Sequence, residues 1–187
     1  MISRIRHLAP AGFAAALLSG VSLALAQSDF GFMPDGGRQM LLRLFDSSPA
    51  ELTTVVSSKH SEAEWAALLA PNASMLKPKE IETLASYLAV NMPVAAAAQT
   101  SAPDVAQMAA LLPPDGKELA IANCQFCHSF FTGYLVHDRD TEGWRSVFKS
   151  PFHKELAMTE KERETFARYS AINMPIPYDK VPEELRF

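Results

Sequence analysis

The chain has 187 residues and a formal net charge of −4, with 48% hydrophobic and 20% charged residues. An acidic chain of this kind is a poor partner for nucleic acid, whose phosphates select basic surfaces. Because Cys124 and Cys127 are the only cysteines, the disulfide framework that staples many small exported domains is excluded. The length allows one ordinary domain or two small ones.

The first 26 residues have the pattern of a secretory signal peptide, which predicts an exported, periplasmic protein. Arg4 and Arg6 precede an apolar run that closes on Ala24, Leu25 and Ala26, a small-x-small cleavage site. Cleavage there removes 2 of the 17 basic side chains and none of the 21 acidic ones, so that the formal charge becomes −6. The apolar run is almost long enough to cross a bilayer, and an uncleaved membrane anchor is therefore the alternative.

The rest of the chain contains an internal repeat. Residues 76–93 and 158–175 are identical at 10 of 18 positions. Upstream of these segments, two pairs of residues share a separation of 28: Gly37 with Trp65, and Gly116 with Trp144. A repeat of this length indicates two copies of one structural unit. We therefore predict a domain duplication, with tandem domains over residues 29–93 and 113–187.

The segment between the copies, residues 94–112, is predicted to be a linker. Its first part is rich in Ala, Pro, Ser and Thr and carries little charge. One short helix is expected in it, near Val105 to Leu111.

Both domains are predicted to be all-α. Asp115 with Glu118, and Thr159 with Glu162, have the spacing of capping boxes that begin helices, and Asp140 can cap a helix between them. The alternating pattern of β-strands is missing. Three short helices joined by long loops are expected in each unit.

Cys124, Cys127 and His128 form a C-x-x-C-H motif, the pattern of covalent c-type haem attachment. The two thiols can reach the two vinyl groups of one porphyrin, and the histidine can bind the iron from the proximal side. A thioredoxin-like pair would need a βαβ setting, a zinc site would need four ligands, and a disulfide would close a very small ring. We predict one covalently bound haem c.

Three segments around this motif resemble class I c-type cytochromes: LPPDGKELAIANCQFCH, DRDTEGW and MTEKERETFARYSAINMP. The closer resemblance is to the cytochrome domains of periplasmic dehydrogenases such as quinohaemoprotein amine dehydrogenase and sulfite dehydrogenase. It covers residues 113–177 through the motif, and residues 33–93 only through the repeat. The resemblance implies a small helical fold around one haem and single-electron transfer, with a dehydrogenase and an electron acceptor as partners.

The resemblance leaves the sixth iron ligand open. In that family the distal ligand is usually a methionine on the loop before the last helix, but the methionine expected about seven residues after Trp144 is absent. Four side chains could serve instead: His153, Met158, Met174 and His137. An open distal site is a further alternative.

The repeat favours His153 as the distal ligand. Met174 and Met158 are matched in the other copy by Met92 and Leu76, which indicates a packing role, although a thioether could still bind iron. His153 lies on the loop before the last helix and has no counterpart in the first copy. Two imidazoles would give a lower potential than one imidazole with a thioether.

The first domain is predicted to be without haem, because FDSSP, residues 45–49, stands opposite the C-x-x-C-H motif. Apolar side chains must then fill the space that a porphyrin would take. The candidates are Met40, Leu41, Leu44, Phe45, Leu52, Val55 and Val56. With no redox role left, this domain is expected to act as a docking module.

The sequence therefore favours an electron carrier without bond chemistry of its own, acting as a subunit or acceptor of a dehydrogenase. A haem enzyme or gas sensor with an open distal site is the alternative from another class. A structural subunit of a membrane redox complex, anchored by the first 26 residues, is the third.

Overall fold

The computed structural model describes residues 30–95 and 104–187. The regular structure of these residues is entirely helical, which confirms the all-α prediction. The predicted signal peptide and residues 96–103 of the predicted linker lie outside the described residues. No helix in the described part of the chain has the length and apolar character needed to cross a membrane. Residues Met33–Phe187 form one compact unit.

Eight α-helices lie in the described residues. They are α1 Gly37–Leu44, α2 Pro49–Ser57, α3 Glu62–Leu69, α4 Pro78–Asn91, α5 Val105–Leu111, α6 Gly116–Cys124, α7 Thr141–Val147 and α8 Glu160–Asn173. A π-helical turn spans Phe131–Leu135, and short 3₁₀ turns include Ala70–Asn72 and His153–Glu155. The short helix expected at Val105 to Leu111 is α5.

The predicted helix starts are present. Asp115 accepts a hydrogen bond from the backbone N–H of Glu118, and the Glu118 carboxylate accepts one in return from the Asp115 N–H. Thr159 and Glu162 form the same reciprocal pair at the start of α8. Asp140 caps α7. Each of these contacts satisfies a backbone donor that the first turn of a helix leaves unpaired.

The two copies of the repeat pack in the same way. In the first copy α1 and α3 lie against α4, and in the second α6 and α7 lie against α8. The last helices, α4 and α8, also pack against each other and join the copies. The long final helix of each copy therefore serves both its own unit and the contact between units.

The contact between α4 and α8 is reciprocal. The side-chain amide of Asn91 donates to the hydroxyl of Thr165 at 3.0 Å, and that of Asn173 donates to the hydroxyl of Thr83 at 3.1 Å. Asn91 matches Asn173 in the repeat, and Thr83 matches Thr165. All four residues are buried. At α4 and α8 the two copies therefore meet as the subunits of a two-fold symmetric dimer do, with this hydrogen bond made twice.

A second reciprocal pair of hydrogen bonds joins α4 to the loop before α6, and α8 to the loop before α1. The hydroxyl of Tyr87 donates to the carbonyl of Pro113 at 2.7 Å, and the hydroxyl of Tyr169 donates to the carbonyl of Pro34 at 2.6 Å. Each tyrosine thus reaches the chain segment that opens the other copy.

Apolar side chains fill the core of the first copy. Four of the seven side chains expected there, Met40, Leu41, Leu52 and Val56, are fully or almost fully buried in one cluster. The other three, Leu44, Phe45 and Val55, pack against that cluster. The two copies thus differ in what lies at their centres, because the second copy contains a large cavity.

Candidate haem-binding site

The cavity has a volume of about 700 Å³ and lies entirely in the second copy. This volume falls within the range of about 300–1,000 Å³ that is usual for ligand and cofactor pockets. Cys124, Cys127 and His128 contribute to one part of its wall, and Trp144, Phe148 and Phe166 to another. The lining thus combines aromatic and aliphatic side chains with polar ones, among them Asn123, Ser146 and Ser150.

The end of α6 positions the two cysteines. Cys124 is the last residue of the helix, and Cys127 lies one turn further on, where the chain has left the helix. Cys127 is exposed, whereas Cys124 is part-buried, and this burial raises the pKa of its thiol to about 12. Both thiols border the cavity, so both can meet a single planar group there.

His128 is held by its neighbours in one orientation. Its Nδ1 lies 3.1 Å from the carbonyl oxygen of Ser129, and a proton on Nδ1 would leave Nε2 as the nitrogen that can bind a metal. Gly133 lies against the imidazole so closely that a β-carbon at this position would overlap the ring. The first copy has Thr54 at the matching position.

His153 faces His128 across the cavity. The two imidazole centres are 6.2 Å apart, and the ring planes are nearly perpendicular, at 83°. A metal–imidazole bond is about 2 Å long and the bonding nitrogen lies about 1 Å from the ring centre, so two imidazoles on opposite sides of one metal ion have centres about 6 Å apart. The observed separation fits that arrangement.

The other three candidates for the distal position are placed differently. Met158 borders the cavity and is buried, directly before the cap of α8. Met174 is buried at the end of α8 but is not among the residues of the cavity wall. His137 is also outside the wall and lies 6.3 Å from the ring centre of Trp144.

Trp144 and Arg139 form a polar corner of the cavity that the sequence reasoning missed. The indole N–H of Trp144 is buried without a hydrogen-bond partner in the structure, and the guanidinium of Arg139 lies 5.4 Å above the same ring. A carboxylate in the cavity, such as a propionate of haem, could accept this hydrogen bond beside the positive charge of Arg139.

In the first copy, the residues that match Trp144 and Arg139 belong to or lie beside the packed core. Trp65 matches Trp144, and its N–H also lacks a partner. Trp65 belongs to the apolar cluster, with His60 edge-on at 4.7 Å where Arg139 stands in the second copy. In the aligned repeat, Arg139 stands opposite His60, five residues before the matched tryptophan. This alignment was the signal in the sequence that could have identified Arg139.

In the described residues, no group of three or more His, Cys, Asp or Glu side chains is arranged to hold a metal ion. A haem iron needs only two axial ligands from the protein, and His128 with His153 can provide them. Comparisons with family models, with curated proteins and with solved structures give no match for this chain.

Proposed function

We propose that the protein is a periplasmic monohaem c-type cytochrome that transfers single electrons, as a subunit or acceptor of a dehydrogenase. The observation that carries the proposal is the cavity of about 700 Å³ that has the C-x-x-C-H motif in its wall and His153 facing His128 at 6.2 Å. A covalently attached haem needs thiols for its tethers, imidazoles for its iron, an apolar lining for its ring and polar side chains for its carboxylates.

Each side chain has a defined task in this proposal. Haem supplies an iron that changes its charge by one electron. Cys124 and Cys127 tether the ring through thioether bonds, which form when each thiol adds across one vinyl group. His128 would bind the iron, and Gly133 leaves the space that its ring requires. Arg139 and the indole N–H of Trp144 orient the carboxylate edge.

His153 is the distal ligand in this proposal. The separation of 6.2 Å between the His153 and His128 ring centres supports this choice, although Met158 also borders the cavity. Two imidazole ligands imply a lower potential than an imidazole and a thioether. The protein would then suit an electron donor and an acceptor of low potential.

The first copy is the haem-free docking module of the proposed cytochrome. The apolar cluster around Met40 and Leu41 occupies its centre, and residues 45–49 contain neither a thiol nor an imidazole. Its contribution is then a surface, held rigidly beside the haem domain by the reciprocal contacts of α4 and α8.

Two measurements on the exported protein test the proposal. A pyridine haemochrome assay should give one haem per chain, and intact mass should show one haem addition on a chain beginning at Gln27. A result of zero or two haems would overturn the monohaem assignment. A mass that includes residues 1–26 would instead support the membrane-anchored alternative.

Whether the sixth coordination position of the iron is occupied distinguishes an electron carrier from a haem enzyme or gas sensor. A six-coordinate iron should not react with carbon monoxide on mixing with the reduced protein. Rapid binding of carbon monoxide would contradict the carrier and favour an open or displaceable distal site.

A further inference from the structure

The surface of the first copy carries a groove of about 470 Å³ between α3 and α4. Its apolar residues include Ala63 and Ala66 on α3, and Ile81 and Ala85 on α4. Two acidic residues, Glu62 and Glu82, also border it. Small side chains on two packed helices thus leave a depression with an apolar floor and carboxylates beside it.

The second copy has an ion pair on the face that corresponds to this groove. Arg145 of α7 stands where the first copy has Ala66, and Glu164 of α8 stands where it has Glu82. The guanidinium of Arg145 donates two hydrogen bonds of 2.6 Å to the two carboxylate oxygens of Glu164. This bidentate contact lowers the pKa of Glu164 to about 2 and joins α7 to α8.

The first copy keeps the carboxylate but lacks the arginine. Glu82 forms no ion pair with the described residues, in contrast to Glu62, which pairs with Arg168 of α8. Ala66 is too short to reach Glu82 and leaves the groove uncovered. Compared with the Arg145–Glu164 pair of the second copy, the groove of the first copy therefore lacks a guanidinium on an apolar stem.

We propose that this groove binds an arginine-bearing apolar segment of the redox partner, and that the partner's guanidinium pairs with Glu82 as Arg145 pairs with Glu164. The inference rests on the proposed docking role of the first copy and names the chemistry of its partner. After cleavage of residues 1–26, the remaining residues outside the described ranges, 27–29 and 96–103, contain neither Lys nor Arg, so the mature chain does not offer the missing group from these segments. The apolar floor receives the side chains next to the arginine.

The test uses the full-length holoprotein and two synthetic peptides. Both are helical Leu/Ala peptides that differ at one position, which is arginine in one and its neutral isostere citrulline in the other. Binding is followed by fluorescence anisotropy and located by NMR shifts in α3 and α4. The arginine peptide should bind about fivefold more tightly than the citrulline peptide, the upper end of what one exposed ion pair contributes.

Glu82→Gln and the two peptides form a double-mutant cycle, and two further variants serve as controls. Glu82→Gln should remove the difference between the peptides, while Glu51→Gln, an exposed acid on α2, should leave it unchanged. Ala66→Arg should abolish the binding of both peptides, because the longer side chain covers the floor and pairs with Glu82. Equal affinity of the two peptides for the unmodified protein, a difference that survives Glu82→Gln, or no saturable binding would each overturn the inference.

The outcomes for the groove and for the haem are independent. Haem content and the optical spectrum of the same samples report on the proposed function and on correct folding of Ala66→Arg. Normal spectra without peptide binding would reject only the groove, and binding without haem would reject only the cytochrome. Self-association that Ala66→Arg removes would place a second copy of the chain in the groove and would also overturn the inference.

Discussion

The backbone of Gly36 lies against the carboxylate of Asp115, so closely that a β-carbon on Gly36 would overlap it. The two residues occupy the same position in the repeat, one in each copy. The Asp115 carboxylate is almost completely buried and accepts hydrogen bonds from the N–H groups of Glu118 and Gln39. At the contact between the copies, the side chain of Asp115 thus fills the space that Gly36, its counterpart in the repeat, leaves open.

Asp115 should make stability depend on pH. Burial, together with the nearby Glu118 carboxylate, raises the pKa of Asp115 from 3.8 to about 6. An acid with a higher pKa in the folded chain binds its proton more tightly when folded, so this contribution destabilises the protein as pH rises from about 4 to about 6. Asp115→Asn should remove this pH-dependent loss of stability, about 3 kcal/mol, in urea unfolding at several pH values. Asp140→Asn, at an exposed helix cap, should keep it; an unchanged slope in Asp115→Asn would contradict the prediction.

Gly36→Ala should destabilise the protein through its contact with Asp115. The added methyl overlaps the carboxylate, and overpacking of this kind costs about 1–3 kcal/mol in the free energy of unfolding. The cost should shrink when Asp115 is also changed to Gly, because the space is then open. Chemical unfolding of the two single variants and the double variant measures the coupling, and strictly additive losses would show that the two residues do not interact.

Asn91→Ala and Asn173→Ala should cost similar free energies. Each substitution removes one side-chain hydrogen bond between α4 and α8 and leaves a buried threonine hydroxyl with one partner fewer. The expected loss is about 1–3 kcal/mol for each. Unfolding monitored by circular dichroism and by the haem spectrum should give one transition in both variants. Separate transitions for the two probes would show that the copies unfold independently.

His153→Ala should change the haem spectrum, and Met158→Ala should not. Loss of an imidazole on the distal side converts a six-coordinate iron to an open or weakly ligated one, which optical and paramagnetic resonance spectra detect. Met158→Ala is the matched control on the same loop, and its expected effect is confined to stability. A near-infrared sulfur-to-iron band in the oxidised, unmodified protein would identify a thioether ligand and reject His153.

Much of the helical framework could be predicted from local sequence. Asp115, Asp140 and Thr159 mark helix starts because a capping side chain satisfies the backbone groups that a helix leaves unpaired, and the structure has helices at all three. The apolar fill of the first copy was also predictable. Once the repeat aligned residues 45–49 with the haem motif, the core side chains followed from the need to exclude empty space.

The arrangement of the two copies could not be predicted in the same way. Asn91 and Asn173 appear in the sequence as polar residues near helix ends, and nothing local shows that each reaches a threonine of the other copy. Arg139 was missed for a related reason, because its place in the cavity wall depends on the path of a loop. Contacts between segments distant in sequence depend on packing that no short pattern encodes.

The reciprocal contact of α4 and α8 has a consequence for how the two halves could diverge. Two separate subunits with one sequence must carry every substitution twice, so a change that suits one site disturbs its symmetric counterpart. Here a single backbone holds both halves at a high effective concentration. One half can therefore have alanine where the other has arginine, or glycine where the other has aspartate, while the symmetric contact of α4 and α8 is kept.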